Sequence, residues 1–375
     1  MTTPADDVAT VVDGIPLAGL PKISLHDHLD GGLRPSTIVE LAERQGVELP
    51  AADPAALTEW FAQQTAAGKS LVEYLETFRV TLSVMQTRDG LVRTAHDFAL
   101  DLAADGIIYG EVRWAPEQHQ QGGLSLDEAV EAVQEGLDAG AAAARAAGHD
   151  LRTGQLLIAM RQADRGLEIA ELAIRHRHDG VVGYDIAGPE AGYPAGRLAD
   201  AFAALDRAFL PRTVHAGEAD GIESIRGALL DGRANRLGHG VRLAEDIRIV
   251  DADERTTTVE LGEIAQWVKD REIVLETSPT SNLQTGAFAQ WGDDIRQHPV
   301  DLLHQLGYRV TVNTDNRLMS RTTLTRELGL LADAFGYGLD DLHALQVNAA
   351  IGAFLPLEDR EELIARLDDG WGVAR

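Results

Sequence analysis

Eight short β-rich runs recur along this chain, and their rhythm limits what it can fold into more than any other feature. They span residues 22–28, 107–114, 154–160, 181–186, 212–215, 236–239, 272–277 and 308–313. Between most of them lie alanine- and leucine-rich stretches with helical spacing, such as 126–147 and 198–209. Strand–helix alternation repeated eight times predicts an α/β fold, a (β/α)8 TIM barrel of parallel strands rather than an open sheet. The 375 residues suit one such barrel, read as a single domain over 1–375. One interval breaks the rhythm. Residues 29–105 leave room for several helices, at 36–45, 54–65, 70–84 and 89–104, before the second strand. This predicts a helical insertion after strand one, placed at the mouth of the barrel, where long segments act as lids or specificity elements. Residues 139–147 are alanine-rich and read as a plain outer helix.

Barrels of this type present reactive groups at the C-terminal ends of their strands, which sorts the twelve histidines. Strand one ends in His26-Asp27-His28. Residues two apart on a strand face the same way, so these two imidazoles project together. His215 ends strand five and is followed by Ala216-Gly217-Glu218. His239 ends strand six, and Asp315 follows strand eight. His176 and His178 repeat the His-x-His spacing but precede strand four, at the opposite rim, and are expected to be exposed. His96, His119, His149, His298, His304 and His343 fall in helices or connections with no partner at ligand spacing.

His26, His28, His215 and Asp315 form a candidate metal site. Three imidazoles and one carboxylate suit one Zn2+ and leave a position for water. Such an ion lowers the pKa of its water toward ~7. Glu218 and His239 are then left over beside it. His239 can orient and deprotonate the water, and Glu218 can protonate a ring nitrogen as the attacked carbon becomes tetrahedral. A carboxyl shielded from water in that role has a raised pKa.

Composition removes several alternatives. The formal charge is −27, and only Lys22, Lys69 and Lys269 among the 33 basic residues are lysines. Such a surface repels phosphate backbones, so no nucleic-acid partner is expected. With no cysteine, disulfides and thiolate chemistry are excluded. Residues 1–10 are polar and lack the basic and apolar segments of a signal peptide. No apolar run is long enough to cross a bilayer. The expected location is the cytoplasm, with no membrane partner. Oligomeric state is not legible.

Taken together, the motifs resemble the adenosine deaminases of the metal-dependent amidohydrolase superfamily. The resemblance rests on Ser24-Leu25-His26-Asp27-His28-Leu29-Asp30-Gly31, then Gly183-Tyr184-Asp185-Ile186-Ala187-Gly188-Pro189-Glu190, then His215-Ala216-Gly217-Glu218. It continues with Gly238-His239-Gly240 and Asn313-Thr314-Asp315. It implies zinc-dependent hydrolysis of a purine nucleoside, adenosine or 2′-deoxyadenosine, to inosine and ammonia. In that family pattern Glu218 protonates purine N1, and His239 positions the water that attacks C6. Asp315 also accepts a hydrogen bond from that water. Asp30 bonds the ribose 5′-hydroxyl, the Gly188 backbone N–H faces N3, and His28 borders the substrate. One position departs from the pattern: Asn316 stands where the family has an aspartate facing N7. An asparagine amide can donate to N7 without first being protonated.

Two related chemistries compete. Binuclear relatives bridge two metals through a lysine at the end of strand four, but none of the three lysines ends a strand, so one metal is favoured. The amine could also come from adenine or a 5′-modified adenosine such as aminofutalosine. Asp30 favours a free 5′-hydroxyl and disfavours a 5′-phosphate, whose charge it would repel.

Overall fold

A computed structural model of the chain describes residues 8, 10–65, 74, 75, 77–252 and 256–372. Its eight parallel strands are β1 (Lys22–His28), β2 (Ile107–Trp114), β3 (Arg152–Met160), β4 (Val181–Ala187), β5 (Thr213–Ala216), β6 (Arg236–His239), β7 (Val274–Thr277) and β8 (Val310–Val312). They lie within two residues of the predicted runs. The differences at strand entries have local causes. Glu272, for example, has a φ of 51°, which makes it part of a turn before β7.

The strands form two four-stranded parallel sheets, β1-β2-β3-β4 and β5-β6-β7-β8. Two short seams join the sheets into a ring. At one, Tyr184 on β4 bridges to Arg212, and the Tyr184 N–H donates to Pro211 O at 3.1 Å. At the other, the Asp315 N–H donates to His26 O at 2.9 Å, and the His28 N–H donates to Asp315 O at 2.8 Å. The predicted barrel is therefore present, and its second seam runs through three of the candidate site residues.

The interval 29–105 holds α1 (Pro35–Gln45), α2 (Pro54–Gln64), α3 (Phe78–Ser83) and α4 (Arg88–Ala104). Of the helix expected over 70–84, residues 70–73 and 76 lie outside the described residues. Helix α4 packs along the outside of the barrel against α5 (Leu126–Ala146). Gly136 and Gly140 allow that closeness: a Cβ on Gly140 would lie 2.6 Å from His96 O, a collision no rotamer relieves. The alanine-rich stretch is thus an outer helix, as expected.

Two antiparallel hairpins were not anticipated. Val11–Val12 pairs with Ile15–Pro16, and Ile247–Ala252 pairs with Thr257–Leu261. Each buries a single apolar side chain of those described, Val12 or Ile247, and exposes others, Val11 and Ile249 among them, so no continuous buried face announced them in the sequence. Among the described residues no helix is long and apolar enough to cross a membrane.

Candidate functional site

The C-terminal strand ends bring His26, His28, His215, Glu218, His239 and Asp315 together, and all six are buried. On β1, alternation sends His26 and His28 into the mouth, with ring centroids 5.4 Å apart. Asp27 between them faces the other way, where Arg317 Nε donates to it at 2.7 Å. The β1–β8 seam then sets Asp315 against both imidazoles: its Oδ1 lies 3.4 Å from His26 Nε2 and 3.2 Å from His28 Nε2. From the opposite sheet, the His215 ring approaches His26 to 4.7 Å and the His239 ring approaches it to 4.8 Å. His239 and Asp315 both occupy the left-handed region, with φ of 64° and 58°. Such strain in non-glycine residues persists only where surrounding packing holds it.

One donor atom each from His26, His215, His239 and Asp315 fits within a span of 4.8 Å. His28 borders the same space through Asp315. His26 Nε2 is buried and makes no aligned hydrogen bond, so its lone pair faces the cluster unused. Nitrogen and oxygen donors in this number, with an orphaned imidazole nitrogen among them, fit a divalent cation.

Beneath the histidines lies a charged floor that sequence reading missed. His26 Nδ1 meets Glu276 Oε2 at 3.0 Å, and His215 Nδ1 meets Asp185 Oδ1 at 3.1 Å. Arg113 joins the two carboxylates, donating to Asp185 Oδ2 at 2.9 Å and to Glu276 Oε2 at 2.7 Å. Arg236 lies 2.5 Å from both Glu111 and Glu276. Burial alone would raise Asp185, but the charges of His215 and Arg113 hold its carboxyl well below the usual carboxylate range. Glu276 is likewise held low against its burial, by Arg113 and Arg236. Burial, with Arg113 adding to it, pulls His26 down to about 4, so the imidazole is neutral and able to coordinate. The signal available in the sequence was a charge at an inward position of a buried strand: Glu111 and Arg113, Asp185, Arg236, and Glu276.

The loop after β5 is held by one side chain. The Glu190 carboxylate accepts backbone N–H groups from Gly217 at 2.6 Å, Glu218 at 3.1 Å, Ala219 at 2.7 Å and Asp220 at 3.1 Å, and the Ser224 hydroxyl at 2.5 Å. This fixes the direction in which Glu218 leaves the strand. Gly217, at φ 75°, makes the turn itself. Glu218 Oε2 then lies 3.6 Å from His239 Nε2. Burial raises the Glu218 carboxyl above the ordinary glutamate value despite the opposing pull of His239. That is the direction expected from sequence. Ser281, to which the sequence assigned nothing, donates its hydroxyl to Asp315 Oδ2 at 2.6 Å.

A cavity of about 330 Å3 opens above the cluster, the size range of small-ligand sites. Asp30, Gly188, Glu218, His239 and Asn316 line it. Leu75, Phe78 and Leu82 of the insertion form an apolar wall, so the segment after β1 does reach the mouth. Burial raises Asp30 to about 7, and its Oδ1 is buried without a hydrogen bond, as is Asn316 Oδ1. A larger groove of about 880 Å3 lies at the opposite rim and holds none of these residues. His178 borders that groove and is exposed. His176 corrects the expectation of exposure: it is buried at the end of its helix, with Nε2 2.8 Å from Asp127 Oδ1. The carboxylate partner, invisible in local sequence, draws it in.

Residues 21–370 match the sequence profile of the family described as adenosine deaminase. Adenosine deaminase 1 of Streptomyces coelicolor is 54% identical over 345 residues, covering 92% of this chain and 85% of its own length. Adenosine deaminase of Mycobacteroides abscessus is 48% identical over 359 residues, covering 96% of both chains. Among solved structures, a zinc-bound amidohydrolase from Burkholderia ambifaria superposes with a TM-score of 0.81 at 22% identity, over 99% of this chain and 97% of that one. Adenine deaminase from Arthrobacter aurescens gives 0.80 at 23% identity, over 95% and 100%. At these identities the two structures support the fold alone.

Proposed function

The chain belongs to the adenosine deaminase family, and on that premise we propose that its cavity binds adenosine or 2′-deoxyadenosine and exchanges the purine 6-amine for oxygen, releasing inosine and ammonia. The observation that carries the reading is Glu218: a buried carboxyl with a raised pKa, facing the cavity beside His239 and the metal-type cluster.

His26, His28, His215 and Asp315 are the proposed ligands of one zinc ion per chain. His26 and His215 each have Nδ1 against a carboxylate, which leaves Nε2 free to coordinate, the usual arrangement behind a ligating histidine. When bound, the ion would supply a polarised, acidified water. Glu218, its carboxyl raised by burial, gives a proton to purine N1, which makes C6 electrophilic. His239 positions the attacking oxygen, and Asp315 accepts a hydrogen bond from it. Asp30 takes the ribose 5′-hydroxyl, the Gly188 N–H faces N3, the Asn316 amide faces N7, and His28 borders the sugar side. The whole chain acts as one catalytic domain, with the helices after β1 as its specificity wall. Purine salvage in the cytoplasm is the setting that goes with this reading.

The test is to incubate adenosine with the purified protein, with and without a chelator, and follow the ultraviolet spectrum together with released ammonia. Loss of the adenosine spectrum, abolished by the chelator and restored by zinc, is the expected result. Ammonia release from adenine or aminofutalosine, with adenosine untouched, would replace the substrate proposed here.

A further inference from the structure

His298 lies 59 positions beyond His239 in the chain, outside every motif that marks the site. In the fold its ring is buried against Phe288, with centroids 4.7 Å apart, and one side chain separates it from His239. That side chain is Asn282. Burial pulls His298 down to about 3, so its ring is neutral.

The protons in this chain of contacts can be placed from their fixed ends. The Val300 backbone N–H donates to His298 Nδ1 at 2.9 Å. A backbone N–H cannot accept, so Nδ1 carries the lone pair and Nε2 carries the proton. His298 Nε2 then donates to Asn282 Oδ1 at 3.2 Å. The Ser278 backbone N–H donates to the same Oδ1, also at 3.2 Å. Two donors on one atom settle the amide orientation, because the flipped amide would aim its NH2 at both. Asn282 Nδ2 therefore faces His239 Nδ1, at 2.9 Å. An NH2 group has no lone pair to offer, so His239 Nδ1 must accept, and the ring's N–H is the one at Nε2, toward Glu218 and the cavity.

We propose that His298 is a positioning residue which, through Asn282, holds His239 in its Nε2–H tautomer, so that His239 donates a hydrogen bond to the attacking oxygen and does not take its proton. The proposal rests on the reading of His239 as the group above the attacked carbon, and it replaces the expectation that His239 deprotonates the water. It also separates His239 from the ligand histidines. His26 and His215 have carboxylates behind Nδ1 and so present a lone pair. His239 has an amide donor there and presents an N–H.

Long-range proton–nitrogen correlation spectra of the zinc-loaded chain carrying 15N-histidine read the tautomer directly. The His239 signals, assigned by their loss in His239→Gln, are expected to show a protonated Nε2 and a bare Nδ1. His298→Phe keeps a ring against Phe288 and removes the donor. Its expected effects are a shift of His239 toward the Nδ1–H form and a fall in kcat of about 10-fold or more, the scale of one lost buried hydrogen bond, with KM changed less than about 2-fold. His298→Gln, whose amide N–H reaches the same place, is expected to restore both. A protonated Nδ1 in the unsubstituted protein overturns the proposal without any variant having to fold. An unchanged His239 tautomer in folded His298→Phe overturns it as well. If the Nε2–H signal is present but adenosine is not turned over, the functional reading falls and the network stands.

Discussion

Glu218 keeps a raised pKa although His239 Nε2 is only 3.6 Å away, because loss of water around the carboxyl outweighs that attraction. A raised pKa is the direction a proton donor requires. Glu218→Gln preserves shape and hydrogen bonding but has no acid to give. Its kcat on adenosine is expected to fall by at least about 10^2-fold with KM nearly unchanged; near-normal turnover would take Glu218 out of the role. Asp30 makes a second argument at this scale. Its Oδ1 is buried and unpartnered, a costly state unless a ligand atom arrives. Asp30→Ala should therefore weaken kcat/KM for adenosine far more than for 5′-deoxyadenosine, and equal losses on both substrates would remove the proposed 5′-hydroxyl contact.

The strands place these residues, and their inner faces hold them still. β1 and β8 meet through only two backbone bonds at the mouth, yet that short seam joins His26 and His28 to Asp315. Behind it, Glu276 and Asp185 take one nitrogen each of His26 and His215, and Arg113 ties the two carboxylates together. Outer partners of this kind orient a ligand ring and raise its basicity. Glu276→Gln is expected to lower zinc affinity about 10- to 100-fold, measured by competition with a chromophoric chelator, while adenosine binding at saturating zinc changes little. Unchanged affinity would mean that Glu276 serves only the barrel's packing. In the loop after β5, Glu190 does for the backbone what Glu276 does for a side chain. Four N–H groups converge on one carboxylate, and the direction of Glu218 follows.

At the scale of the molecule, closing the barrel buries charge as well as apolar surface. Lys22, on β1 at the end away from the mouth, is fully buried, and its ammonium donates to Leu17 O at 2.9 Å and Leu20 O at 2.8 Å. Burial lowers its pKa from 10.5 to about 8, against the pull of Asp105. Between pH 8 and 10.5 the unfolded chain still binds the proton that the folded chain has released, so this lysine's contribution to stability rises with pH across that window. The full rise is about 3 kcal/mol. Denaturant unfolding at pH 7.5 and pH 10 should show the native protein gaining stability relative to Lys22→Met as pH increases; a constant difference would mean that the folded lysine binds its proton as tightly as the unfolded one.

The sequence by itself determined the strand count, the strand ends and the residues that gather there. These properties follow from local rules: alternation on a strand, helical spacing between strands, and the rule that such barrels work at one rim. His26, His28, His215, Glu218, His239 and Asp315 were legible for that reason. The tertiary structure alone decided their partners. Glu276 behind His26, Asp185 behind His215, Glu190 under Glu218 and the Asn282–His298 pair behind His239 lie tens to hundreds of positions away, and no local spacing connects them. The unexpected burial of His176 against Asp127 has the same cause. Closure of the ring brings such groups within hydrogen-bond distance, and it is there that each proton's position is set.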